Sequence, residues 1–154
     1  SFPFAATELI YEGVKLQVYT KSNATEANQD AVKVNLQAMS DTLYWFKNNL
    51  SAYKGSKLSL IDSTGFGGTG YALPEIILID NKVGFRAKPS EGAGFDQRYR
   101  RAVHETAHQW WGMQLEAANV EGRNMILESI QRKIYLFHCK KQRSLCLSKL
   151  LREL

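Results

Sequence analysis

Three residues carry chemistry by type and spacing: His104, Glu105 and His108, in the run Val103-His104-Glu105-Thr106-Ala107-His108. Side chains four apart lie one above the other on a helix, so the two imidazoles can direct a nitrogen each at one ion. Glu105, next to the first imidazole, can reach the position such an ion leaves open. Zinc takes nitrogen and oxygen ligands in a tetrahedron, and a catalytic site keeps one position for water, whose pKa the metal lowers to roughly 7. A carboxylate placed like Glu105 can take that proton, which is how the HExxH spacing leads to amide hydrolysis.

HExxH also arises by chance on solvated helices. Against chance stand three features: two of the chain's three histidines fall in the motif, QRYRRAVHETAHQWW contains no Gly or Pro, and Trp111 shares the histidine face and could wall it from solvent. A third ligand is then required. The metzincin pattern would need Gly and His at positions 111 and 114, which are Trp111 and Gln114. Downstream, Glu116 and Glu121 fall in the expected connection, whereas Glu128 falls on an expected helix beginning near Asn124. A ligand on a rigid element is better fixed than one on a loop, so Glu128 is favoured, with Glu121 and then His138 behind it.

The elements that must position these residues follow from periodicity. VKLQVY (14–19) alternates as a half-buried strand does. Val32, Leu36, Met39, Leu43, Phe46 and Leu50 recur at intervals of four and three, which predicts a helix with a core-facing stripe, closed at Gly55 and Ser56. KLSLID and EIILID predict two more strands. Between them, Gly65-Phe66-Gly67-Gly68-Thr69-Gly70-Tyr71 holds four glycines in six residues, the composition either of a hairpin loop or of a segment another backbone approaches closely. It matches no phosphate-binding pattern. A further helix should start near Asp96 and run through the motif to about Gly112. The reading is α+β: a mixed sheet followed by the HExxH helix and a third-ligand helix.

The 154 residues, 44% hydrophobic, suffice for one core and are read as a single domain, 1–154, with an atypical basic tail at 131–154. Much of the +5 net charge sits there, in Arg132, Lys133, Lys140, Lys141, Arg143, Lys149 and Arg152. A solvated helix face accounts for it, and no interleaved aromatics suggest nucleic acid. No apolar run is long enough for a membrane span and no signal core is present, so a soluble fragment without membrane contact is expected. Cys139 and Cys146 form neither a disulfide framework nor a CxxC pair.

Extended to HETAHQWWG, with Glu128-Ser129 downstream, the motif resembles the gluzincin family of aminopeptidase N, which reads HExxHQWFG or HExxHQWWG before a third-ligand glutamate. The resemblance covers about residues 10–130. It implies a thermolysin-like catalytic domain, truncated here, with one zinc held by His104, His108 and Glu128, Glu105 as base, and cleavage of peptides near their N-terminus. Its substrate edge would be Gly67, Gly68, Gly70, Tyr71 and Ala72.

Three departures stand out. Nineteen residues separate His108 from Glu128 where well-known members have eighteen, similar to a bacterial branch whose peptidase domain is joined to a membrane or permease-like part. The family's GxMEN glutamate, which anchors the substrate amine, has no counterpart in Gly70-Tyr71-Ala72-Leu73-Pro74; Glu75, the nearest carboxylate, is the candidate substitute for binding the substrate, in a different register. The family's transition-state tyrosine is not matched either, Tyr135 being too near the zinc helix. These departures keep two alternatives open: a zinc-binding but catalytically incomplete domain, and an endopeptidase or other amide hydrolase on the same scaffold.

Overall fold

The computed structural model describes residues 4–21, 26–65, 67–88, 96–115 and 121, with side chains at 26–28 left aside. Five strands form one mixed sheet in the order β1-β2-β3-β5-β4: β1 (Phe4–Tyr11), β2 (Val14–Lys21), β3 (Lys57–Ser63), β4 (Gly70–Leu73) and β5 (Ile76–Asp80). The parallel trio β2, β3 and β5 is flanked by antiparallel β1 and β4. Three helices join them: α1 (Glu26–Asn49), α2 (Asn81–Gly84) and α3 (Gln97–Ala107). The class is α+β, as expected. Among the described residues, no helix is long and apolar enough to cross a membrane.

One face of the sheet is the core. Val14, Leu16 and Val18 of β2, Leu58 and Leu60 of β3, and Ile77 and Ile79 of β5 are buried at alternate positions. Register aligns Val18, Leu60, Ile77 and Ala72 across four strands, and Asp62, Ile79 and Gly70 across three. The two small residues of β4 therefore face the helices, on the side where α3 lies.

Helix α1 covers this face through Val32, Leu36, Met39, Leu43 and Phe46, all buried. The stripe ends sooner than its spacing predicts. Leu50 and Ser51 both donate to the Phe46 carbonyl, closing α1 at Asn49, so Leu50 lies outside the helix and is half exposed. Gly55 and Ser56 do not form the helix end.

Helix α3 is fixed at both ends against α1. At its start Asp96 accepts from the Arg98 amide as N-cap, and the buried Arg98 guanidinium bonds Asp96 (2.6–3.1 Å) and Asp30 (2.8 Å). At its end the buried Trp110 indole stacks on Phe46, centroids 4.1 Å apart and planes within 7°, and its Nε1 donates to Ser51 O at 3.1 Å. The helix stops at Ala107, short of the predicted Gly112; residues 108–110 form a turn. At φ 100° Gly112 adopts a conformation open to glycine, and its amide meets the Leu115 carbonyl while Leu115 returns a bond to Trp110.

Candidate metal centre

Arg101, His104, Glu105 and His108 stand at i, i+3, i+4 and i+7, one stripe along α3 and its continuing turn. With Gly70, Tyr71 and Ala72 of β4 they line a cavity of about 390 Å³ between helix and sheet edge. His104, Glu105 and His108 form a group that could hold a metal ion, their candidate ligand atoms all lying within 4.8 Å of one another. The two imidazoles are 5.1 Å apart by centroid and 85° between planes, so they converge from different directions. A tetrahedral ion with bonds of about 2.0–2.1 Å draws its donors to roughly 3.4 Å, within reach of small χ rotations from this arrangement.

The ring of His108 is oriented by a backbone contact. Its Nδ1 lies 3.2 Å from the Trp111 carbonyl oxygen. A carbonyl only accepts, so this contact is made by the form of the ring that carries a hydrogen on Nδ1, and in the neutral form of that tautomer Nε2 is the acceptor nitrogen. Backbone carbonyls orient ligating histidines in this way in metal sites generally, so the donor set and its support are compatible with a bound metal ion.

Glu105 is buried, and Arg101 Nη1 approaches its Oε1 at 3.4 Å. Its carboxylate packs against Gly70 so closely that a Cβ there would overlap it. This is why the residue opening β4 has no side chain: α3 and β4 could not otherwise approach with a carboxylate between them.

A second contact fixes the edge strand. Pro74 and Glu75 make the two-residue turn between β4 and β5, with Glu75 at φ 63°. The buried Gln109 spans that turn: its Oε1 accepts from the Glu75 amide and its Nε2 donates to the Leu73 carbonyl, both at 2.9 Å. The residue after the second motif histidine thus ties the sheet edge to the end of α3.

No protein-family model matches the chain, and no curated protein matches it.

The expected site residues divide. His104, Glu105, His108, Gly70, Tyr71 and Ala72 meet around one cavity. Gly67 and Gly68 do not line it: both are exposed in the loop before β4, and nothing lies within 4 Å of a Cβ built on Gly67. Glu75 is held in the turn and is not on the cavity wall. Glu121 is an exposed turn residue. Glu128, Glu116, Tyr135, His138, the third-ligand helix and the basic tail lie outside the described residues. Arg101 and Gln109 were not legible as site residues, although Arg101 is placed four residues before Glu105, the spacing that pairs them.

Proposed function

We propose that this chain is a zinc-dependent peptidase with a thermolysin-like catalytic domain, in which His104, His108 and Glu128 hold one zinc ion. The observation that carries the reading is the grouping of His104, Glu105 and His108 on one cavity wall, with candidate ligand atoms all within 4.8 Å of one another. The resemblance of HETAHQWWG to the aminopeptidase N family supplies zinc as the ion and peptides as the substrate.

Zinc, when bound, supplies Lewis-acid polarisation and makes water acidic enough to lose a proton near neutral pH. The chain supplies the rest. Glu105, directed into the cavity and hemmed by Gly70, takes a proton from the attacking water and returns it to the departing amine. The substrate backbone is bound by β4. Thr69 O accepts from Asp80 N, and residues 71 and 73 sit two and four positions further along the same antiparallel ladder. By alternation the amides and carbonyls of Gly70 and Ala72 point to the outer edge, where an extended peptide can add as a strand beside Glu105.

A second reading concerns where in a peptide the bond is cut. Resemblance points to aminopeptidase action, yet among the described residues the cavity wall holds no carboxylate besides Glu105 to receive a free amine. That favours an endopeptidase or another amide hydrolase on this scaffold, and matched peptides with free and acetylated N-termini separate the two.

The deciding experiment is Glu105→Gln with zinc content measured beside peptide hydrolysis. Loss of a general base lowers turnover by about 10²–10⁴-fold, with zinc retained. Retained turnover in that variant refutes the assignment of Glu105, and a zinc-loaded parent that cleaves no peptide points to the binding-only domain.

A further inference from the structure

We propose that Arg101 is the substrate-recognising cation of this site, selecting peptides that carry a carboxylate close to the scissile bond. The inference rests on the peptidase reading and names the substrate class for it.

Arg101 lies on the same stripe as His104, Glu105 and His108 and lines the cavity with them. Among the described residues it is the one cationic side chain on that wall apart from the imidazoles. Two of the three arginines of α3, Arg98 and Arg101, have opposite fates. Arg98 is buried, with 5% of its side chain exposed, and spends its guanidinium on Asp96 and Asp30 through contacts of 2.6–3.1 Å. It is a structural clamp. Arg101 keeps 30% of its side chain exposed, and its described contact is a single Nη1 approach to Glu105 at 3.4 Å. An arginine–carboxylate pair at its optimum is bidentate at about 2.7–2.9 Å, so this contact uses little of a fork with five N–H donors. The remaining donors stand at a cavity wall where a substrate would lie. A planar fork recognises a carboxylate by two parallel hydrogen bonds and repels an ammonium. Arg101 at the wall, and Glu105 as the only carboxylate among the described lining residues, point the same way: the charge read here is negative.

Two sources share that chemistry, an Asp or Glu side chain beside the scissile bond and the C-terminal carboxylate of a short peptide. Calorimetric titration of the full chain with zinc present distinguishes them. Ala-Glu-Ala amide against Ala-Gln-Ala amide isolates the side chain; Ala-Ala-Ala against its amide isolates the terminus. The parent should prefer the carboxylate member of at least one pair by about tenfold or more, the worth of a charge-assisted hydrogen bond. In Arg101→Gln that ratio should fall to near one, and Arg101→Lys should keep part of it. A residue that merely props Glu105 would weaken both members equally and leave the ratio intact. That result overturns the proposal, as does equal affinity in the parent for both members of both pairs, absence of binding included. If discrimination is found but none of the four peptides is cleaved, the peptidase reading fails while the assignment of Arg101 stands.

Discussion

Gly70 and Glu105 occupy one space: the carboxylate of Glu105 packs where a Cβ on residue 70 would sit. The expected consequence is that Gly70→Ala displaces the carboxylate without touching either histidine. A shift of about 1 Å in a catalytic group can lower the rate by roughly 10²-fold. Zinc content should stay at the parent level while kcat falls, and elemental analysis with steady-state kinetics reads both. An unchanged kcat in Gly70→Ala would mean that Glu105 has ample room elsewhere and that the close approach has no functional weight.

Much of this was legible in the sequence where a single pattern dominated. The α1 stripe from Val32 to Phe46 and the β2 alternation are core because each buries one face, and burial imposes periodicity. Strand β1 escaped notice for the converse reason: from Phe4 to Ile10 every residue is exposed, with Ile10 at 63%, so neither face writes a hydrophobic period. The glycine-rich segment was read as either a hairpin loop or a close approach by another backbone; what comes close is the Glu105 side chain, at Gly70, which the composition alone did not single out. That depended on register, since only the pairing of Gly70 with Ile79 turns it toward α3. The role of Gln109 depends on the turn at Glu75, 34 residues away along the chain, being brought into contact with it, which no local spacing encodes.

Gln109 holds that turn by two bonds, one accepted and one donated. Gln109→Ala leaves the Glu75 amide without that partner and should lower stability by about 1–3 kcal/mol in urea unfolding, the range for a buried polar group stripped of its bond. Because β4 is the proposed substrate edge, KM should rise as well. Gln109→Glu retains the acceptor for Glu75 but loses the donor to Leu73, so it should fall between parent and Gln109→Ala. A stability equal to the parent's in Gln109→Ala would remove the clamp from the account.

Glu75 sits at φ 63°, where a side chain is disfavoured and glycine is not. Replacing it by Gly should relieve backbone strain of about 1 kcal/mol while preserving the amide that Gln109 accepts from. It also discriminates functionally. If Glu75 anchored the substrate amine, Glu75→Gly would abolish any preference for free over acetylated peptides. Its place off the cavity wall predicts that the preference, whatever its size, is unchanged.

Trp110 joins the ends of α1 and α3 by stacking on Phe46 and by donating to Ser51. Trp110→Ala removes a fully buried indole and should lower unfolding free energy by about 3–5 kcal/mol. Trp110→Phe keeps an aromatic stack and loses the donor, so its loss should be smaller. The order of the urea midpoints, parent above Phe above Ala, checks the claim that this residue is core despite its place in the motif extension.

Tyr53 offers a test from titration. Burial, and then the charge of Glu75, push its hydroxyl from the usual value near 10 up to about 12, while its OH donates to the Lys57 carbonyl at 3.1 Å. A raised folded pKa means the folded state holds the proton more tightly than the unfolded chain does. The stability this contributes is whole below pH 10 and is lost as pH rises through about 12. Tyr53→Phe lacks the ionising group, so its stability should fall less steeply across that window than the parent's. The phenolate absorbance of the parent should likewise contain a component titrating near the upper end that the variant does not show. Parallel stability curves in parent and variant between pH 10 and 12 would place Tyr53 in contact with solvent instead of packed beside Trp110, whose ring lies 5.6 Å away.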